Sequence, residues 1–467
     1  MPVVSLPYGD QRIEVELPER TRFAGAAAAA LAGEPATPPP TPDEERDLVR
    51  RPFERPLGMP PLRELLGPDS RVLIAFDDPT VASYGPLRRL CIDAVFDEMR
   101  AAGTPETNAT LVCANALHRK WTRDELATIV GADLVERAGD RLQCHDAEDP
   151  DNLVYFGTTE HGYDVEVHRL VAESDVTVYI NAGLHLGFSG GWKSICVGLS
   201  TWRSIRHTHT PDGMSMSVRD NRMHRVLNEM GAHLEAELFR RGNGRPAPRI
   251  FKVEAILANP GTARHVWAGT VADTRAAALD VIERQARPRR SEAEPADVIV
   301  YGVPNWSPYA TFATMNPILT LISTALGYLG GYIEALGKPG CTVILATPTP
   351  EQWDMNHHPA YKEVWERVLP VSRDPYEISA RFEQEFATDR RYIEQYRFGV
   401  AFHPVHAILA THPLKRLRHA GRVFVAGAED PAVVRHVGFT PFPTVNDALA
   451  EAERIHGGDC SIVCVRY

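Results

Sequence analysis

Within "INAGLHLGFSGGWKSICVG", residues 180–198, a histidine, a serine, a diglycine and a lysine stand between two apolar runs. Glycines allow backbone N–H groups to turn toward an anion, Ser189 adds a hydroxyl, and a helix beginning after the turn would point its positive end the same way. Ser189, Gly190 and Gly191 are therefore candidates for cradling a phosphate, with the Lys193 amine beside them. The segment is not a nucleoside-triphosphate loop, because G-x-x-x-x-G-K-[ST] needs Gly directly before Lys and Trp192 is there instead. The chain has no G-x-G-x-x-G either, which disfavours an ordinary dinucleotide dehydrogenase.

Three further segments carry reactive groups. In "NALHRKWTRDEL", His118 follows an apolar run, and an imidazole has the right intrinsic pKa for proton transfer near neutrality. Thr122 with Glu125 predicts a capping box and a helix start there. "DDPTVAS" sets Asp77 and Asp78 before a proline, which suits an Asx-type turn feeding a helix near Gly85, or a carboxylate that accepts from a substrate hydroxyl. "WRSIRHTHTPD" holds His207 and His209 two residues apart; in an extended segment they point to opposite faces, so one of them reaches a given metal. With no H-E-x-x-H and no cysteine cluster, a metal bound here must take most of its ligands from something other than protein.

The elements that would position these groups follow from the pattern of apolar runs. "RVLIAF" (71–76), "ATLVCA" (109–114) and "VTVYIN" (176–181) are short and β-rich, separated by segments with helical spacing. That is the pattern of an α/β fold with a largely parallel sheet. Ligands collect beyond the C-terminal ends of such strands, where all three reactive loops fall, so one shared pocket is expected. "AGAAAAALAGEPATPPPTPDEERD" reads as a surface segment, and "RQARPRRSEAEPAD" (284–297) as an interdomain linker. The β-α alternation then restarts with "DVIVYG", "CTVILAT", "RVFVAG" and "SIVCVRY". The expected fold class is α/β: two α/β domains with largely parallel sheets, residues 1–290 carrying the cofactor loops and residues 291–467 closing over the substrate, with an interdomain active-site cleft.

Bulk properties narrow the partners. A chain of 467 residues with 44% hydrophobic and 24% charged residues has a globular composition. Its net charge of -11 argues against nucleic acid, which is bound through clustered Lys and Arg. The seven cysteines form no C-x-x-C pair, which suits a reducing cytoplasm. The first residues lack the marks of a signal peptide and no run is expected to reach membrane-spanning length, so the expectation is a cytoplasmic protein with no membrane partner.

These residues resemble the lactate racemase family, which carries a nickel-pincer nucleotide cofactor. In that family the lysine of F-S-G-G-x-K is tethered to a pyridinium mononucleotide, and a histidine sixteen residues later binds nickel. "FSGGWK" ends in Lys193, and the offset points to His209 rather than His207 as the metal ligand. The resemblance implies that His118, in the L-H-R segment, is an acid/base catalyst, and that Asp78 and Thr80, in "DDPT", contribute to the cofactor site together with Ser189, Gly190 and Gly191. The family's second base falls at Gly183 here; His185 stands two residues away and is the candidate, with His357, His358 and His403 as alternatives. Val81 replaces a family arginine, and a loose alignment puts Leu319 and Ile322 where lactate racemases have a Gln and a Lys. The implied activity is a racemase or epimerase of a 2-hydroxy acid or related hydroxylated small molecule other than lactate, with Arg203 or Arg206 as possible carboxylate partners, by proton-coupled hydride transfer through a ketone. Two alternatives stand beside it. One is a nickel-pincer oxidoreductase or sugar-acid epimerase with a single histidine base, the other a non-catalytic cofactor-binding protein.

Overall fold

A computed structural model describes residues 2–25, 40–183, 189–213, 221–242, 250–290 and 294–466. The described residues form sixteen strands. The first eight are β1 (Val3–Gly9), β2 (Gln11–Glu16), β3 (Arg22–Gly25), β4 (Val72–Asp77), β5 (Ala109–Ala114), β6 (Leu142–Cys144), β7 (Leu153–Thr158) and β8 (Asp164–His168). The rest are β9 (Val176–Asn181), β10 (Ile250–Asn259), β11 (Thr262–Gly269), β12 (Ala296–Pro304), β13 (Gly337–Ala346), β14 (Arg422–Ala426), β15 (Thr440–Phe442) and β16 (Ile462–Arg466).

The chain separates into two α/β units, but not by one cut near residue 290. One unit comprises residues 38–286 and 393–402; the other comprises 1–37, 287–392 and 403–467. Strand pairing explains the departure: β1 lies parallel to β12 and β3 parallel to β16, so the first strands belong with the last. The segment expected to link the domains is in part regular, since the helix Val271–Arg290 runs into it. Likewise "TPDEERD" does not wander. Thr41 and Glu44 form a capping box that starts the helix Pro42–Glu54.

The 38–286 unit has a six-stranded sheet in the order β11-β10-β9-β4-β5-β6, parallel except for the β10–β11 pair. β4, "VLIAFD", is buried at every position, as a central strand covered on both faces must be. β9, β4 and β5 are adjacent and parallel, which brings their C-terminal ends to one edge. The antiparallel pair β7–β8 lies apart from this sheet. The other unit is built on an eight-stranded sheet in which β12 pairs with β13, β1 and β16, and only β1–β2 is antiparallel.

One expectation fails in the second unit. The segment Ile318–Leu336 is long and apolar enough to cross a membrane by length and composition. Its residues Ile318, Leu319, Leu321, Ile322, Ala325 and Leu326 are core, packed with strand residues such as Ile299 and Val343, so the apolar length is used up in packing. Leu319 and Ile322 are 0% exposed. They belong to the interior rather than to a substrate-facing surface, which removes the alignment that set them opposite a ligand.

Candidate active site

The three reactive loops follow β4, β5 and β9, and each is pinned by a buried polar side chain. After β4, the fully buried Arg88 of the helix Leu87–Ala101 donates to the carbonyls of Asp77 (2.9 Å), Asp78 (3.0 Å), Val81 (2.9 Å) and Ser83. One guanidinium thus folds "DDPTVAS" around itself, and the expected Asx-type turn is not what shapes it. After β5, the buried Asn115 amide donates to the His118 carbonyl at 3.1 Å and the His145 carbonyl at 3.0 Å. Ala116, between them, has φ 49, a left-handed conformation that costs a non-glycine residue of order 1 kcal/mol and is held by its neighbours. Its N–H donates to Gly198 O at 3.0 Å. After β9, the turn 189–194 is gripped from β10 and the helix Val271–Arg290.

Asp78 and His118 meet. The His118 Nδ1–H lies 2.9 Å from Asp78 Oδ2, and Trp121 Nε1–H donates to the same oxygen at 3.2 Å. Thr80 donates its hydroxyl to Asp78 Oδ1. A carboxylate only accepts, so Nδ1 carries the proton and Nε2 keeps the lone pair of the neutral ring. The His118 side chain is 21% exposed against 3% for Asp78: the imidazole reaches solvent while its partner does not. The Phe402 ring lies 5.7 Å from the imidazole, contributed by the returning segment 393–402. Thr122 and Glu125 cap the helix Arg123–Val130 as the sequence predicts. Asp77, by contrast, turns inward, accepting from Tyr179 OH and the Ala182 N–H at 2.9 Å each; burial raises its carboxyl, while Lys252 and Arg88 oppose that rise.

Lys193 opens the four-residue helix Lys193–Cys196, too short to supply the expected dipole. Burial lowers its ammonium to about 7; Asp77 works against that lowering and Arg275 adds to it. Gly190 and Gly191 have φ 82 and 56, the conformation that needs glycine. The Gly191 N–H is donated to the buried Glu254 carboxylate, so the anion it meets is the protein's own. A side chain at Gly191 would also reach within 2.5 Å of Arg275 Cδ. The Ser189 carbonyl accepts from Arg275 at 2.7 Å.

His207 and His209 sit on helical turns after Trp202–Ile205 rather than on an extended segment. His207 Nε2 accepts the Asp164 N–H at 3.1 Å, which commits it to β8. His209 Nδ1 is 2.9 Å from the Thr208 hydroxyl, which orients its ring. Arg203 pairs with Glu166 (3.2 Å) and Arg206 with Asp164 (2.8 Å), so both cations already hold carboxylates. His185 lies outside the described residues. Among the alternatives to it, His357 Nδ1 pairs with Asp354 at 2.7 Å, His358 Nε2 meets the Tyr309 carbonyl at 2.9 Å, and His403 is buried.

Trp192, the variable residue of the F-S-G-G-x-K motif, packs against Gly231 of the helix Arg222–Arg241, where an added Cβ would stand 2.0 Å from the indole. Gly231→Ala is expected to destabilise the protein by about 1–3 kcal/mol through overpacking, and to shift Trp192 fluorescence. A melting temperature and emission spectrum equal to the parent's would show that the indole yields freely.

The fold and site define an α/β protein whose strand-end loops present a carboxylate-held histidine and, two strands over, a lysine on a glycine turn. Residues 8–220 match the lactate racemase N-terminal domain. The chain is 27% identical over 233 residues to the lactate racemase of Thermoanaerobacterium thermosaccharolyticum, covering 48% of this chain and 52% of that protein. To the lactate racemase of Lactiplantibacillus plantarum it is 24% identical over 236 residues, covering 49% and 53%. The chain thus spans about half the length of the curated relatives it matches. The lactate racemase apoprotein structure from T. thermosaccharolyticum superposes with a TM-score of 0.67 over 100% of both chains at 19% identity. A Thermotoga maritima protein does so with 0.54 over 92% and 97% at 14% identity. Both structures share the fold.

Proposed function

We propose that this protein is a racemase or epimerase of 2-hydroxy acids or related hydroxylated small molecules that uses a nickel-pincer nucleotide. The observation that carries the reading is the pairing of His118 with Asp78 at the end of β5 and β4, beside the strand whose loop carries Lys193. The donor set suits such a group: among the described residues no three His, Cys, Asp or Glu side chains gather to hold a metal, and a cofactor that brings its own sulfur and carbon donors asks the protein for one imidazole. Lys193 would tether the nucleotide, His209 would meet the nickel, and Ser189 and Gly190 would lie against the phosphate. Bound there, the group supplies a hydride acceptor.

The protein's own residues handle the proton. His118 Nε2 takes the proton of the substrate hydroxyl, and the Asp78 carboxylate at Nδ1 stabilises the imidazolium that results. Trp121 and Thr80 hold Asp78 in place, so Asp78 and Thr80 act on the reaction through His118. Inversion needs a proton handled on the opposite face, and His185 is the residue proposed for it.

The substrate preference follows from what remains of the cation argument. Leu319 and Ile322 are core, and Arg203 and Arg206 are paired; only Val81 still stands against lactate. The test is expression in a host that makes the cofactor, followed by intact mass, nickel content and stereochemical scrambling of lactate and of bulkier 2-hydroxy acids. A covalent adduct, nickel, and scrambling of at least one compound are expected. A folded protein with neither adduct nor nickel would end the cofactor reading, whereas a loaded protein that scrambles nothing would favour a non-catalytic binder.

A further inference from the structure

Three charged side chains that the motif does not contain meet beneath the lysine-bearing turn. Lys252 and Glu254 stand two residues apart on β10, on one face of the strand, and both are 0% exposed. Arg275 comes from the helix Val271–Arg290 and is 7% exposed. Each holds a different point of the turn. Arg275 Nη1 donates to the Ser189 carbonyl at 2.7 Å, the Gly191 N–H donates to Glu254 Oε1, and Lys252 Nζ donates to Ser194 Oγ at 2.7 Å. Lys252 Nζ also lies 3.7 Å from Glu254 Oε1 and 4.7 Å from the centre of the Tyr179 ring.

Burying two cations and an anion is a poor way to gain stability, since well-packed apolar residues of similar volume do as well or better. What apolar residues could not do is bind a carbonyl, an amide and a hydroxyl on both sides of one lysine. We propose that Lys252, Glu254 and Arg275 are positioning residues, which together fix the 189–194 turn, and that Arg275 also acts on the Lys193 amine that attaches to the cofactor. This rests on the reading of Lys193 as the tether.

Asp77 from β4 and Arg275 from its helix both act on the Lys193 amine. Asp77 favours the charged amine and Arg275 opposes it. An attaching lysine must be uncharged to act as a nucleophile, its nitrogen bonding to a thiocarboxyl carbon whose oxygen leaves as water; burial keeps the amine form available, and Arg275 adds to that effect.

The experiment labels the full chain, made without cofactor, with trinitrobenzenesulfonate over a pH series and follows the Lys193 peptide by mass spectrometry. In Arg275→Met the labelling midpoint should move upward by about one pH unit, and Arg275→Lys, which keeps the charge, should bring it back toward the parent value. Arg275→Gln serves if the methionine variant does not fold. In a cofactor-making host, Lys252→Met should lower the fraction of chains carrying the adduct at least several-fold, with melting temperature measured alongside. Unmoved midpoints in folded Arg275→Met and Arg275→Gln would overturn the proposal. If the parent itself carries no adduct on Lys193, the tether reading falls, and this inference with it; an adduct on the parent with an unmoved midpoint sinks the inference alone.

Discussion

Lys193→Ala is expected to remove the covalent mass adduct completely and to bring racemisation to background, even in a host that makes the cofactor. The loss should be total because no other amine can substitute. The nearest lysine in the cluster, Lys252, is 0% exposed and its Nζ is held by Ser194 and Glu254, so it cannot swing into the place of Lys193. Removing the side chain also leaves the turn's anchors intact, as they act on Ser189, Gly191 and Ser194 rather than on Lys193. The variant should therefore fold and melt like the parent. The companion change His209→Ala should behave differently, lowering nickel while leaving the organic adduct in place. Intact mass and metal analysis on the two purified variants separate the roles, and an adduct at full occupancy on the alanine variant would rule out Lys193 as the tether.

The second large effect is expected at His118. His118→Ala should lower turnover by about 10²- to 10⁴-fold, the usual worth of a positioned acid or base, without changing cofactor loading. Asp78→Asn should lower it by a comparable factor for a different reason. An amide can turn its NH₂ toward Nδ1, which then accepts; the ring proton moves to Nε2, and the base loses its lone pair on the working side. With the NH₂ in the place of Oδ2, Trp121 Nε1–H also faces a donor, while the amide oxygen still accepts from the Thr80 hydroxyl. Steady-state rates with loading held constant by mass measurement decide the matter. Near-parent turnover in His118→Ala would return this histidine to a structural role.

The parts of this site visible in the sequence were those fixed by local rules. Strand ends read from apolar runs gave β4, β5 and β9, and the Thr122/Glu125 spacing gave the helix behind His118, because a capping box needs only four consecutive residues. What escaped was set by long-range pairing. Arg88 lies in "LRRLCIDAVF", where a cation on an apolar helix face was the one available signal, and its four carbonyl partners lie on a loop whose path depends on it. Lys252 and Glu254, alternating with apolar residues in "IFKVEAIL", carried the mark of two like-facing charges in a strand otherwise buried. The diglycine, read as an anion cradle, proved to present one amide to a carboxylate 63 positions further on, which no local rule foresees. Leu319 and Ile322 show the converse error: their placement against a substrate came from an alignment, whereas they pack in the core with Ile318, Leu321 and Ala325.

The pairing of β1 with β12 and of β3 with β16 also governs how the molecule is made. Translation delivers β1 and β3 well before β12 and β16, the partners that lie roughly 290 and 440 positions downstream. The whole 38–286 segment, with its own six-stranded sheet, emerges in the interval. That segment can reach most of its contacts while the ribosome is still at work, whereas the β1–β2 hairpin waits with an unpaired edge, the kind of surface that invites pairing with another chain. Contacts of such sequence separation are slow to form. β16 is thus made long after the β3 strand it pairs with, and a chain halted before Ile462 leaves β3 without that partner.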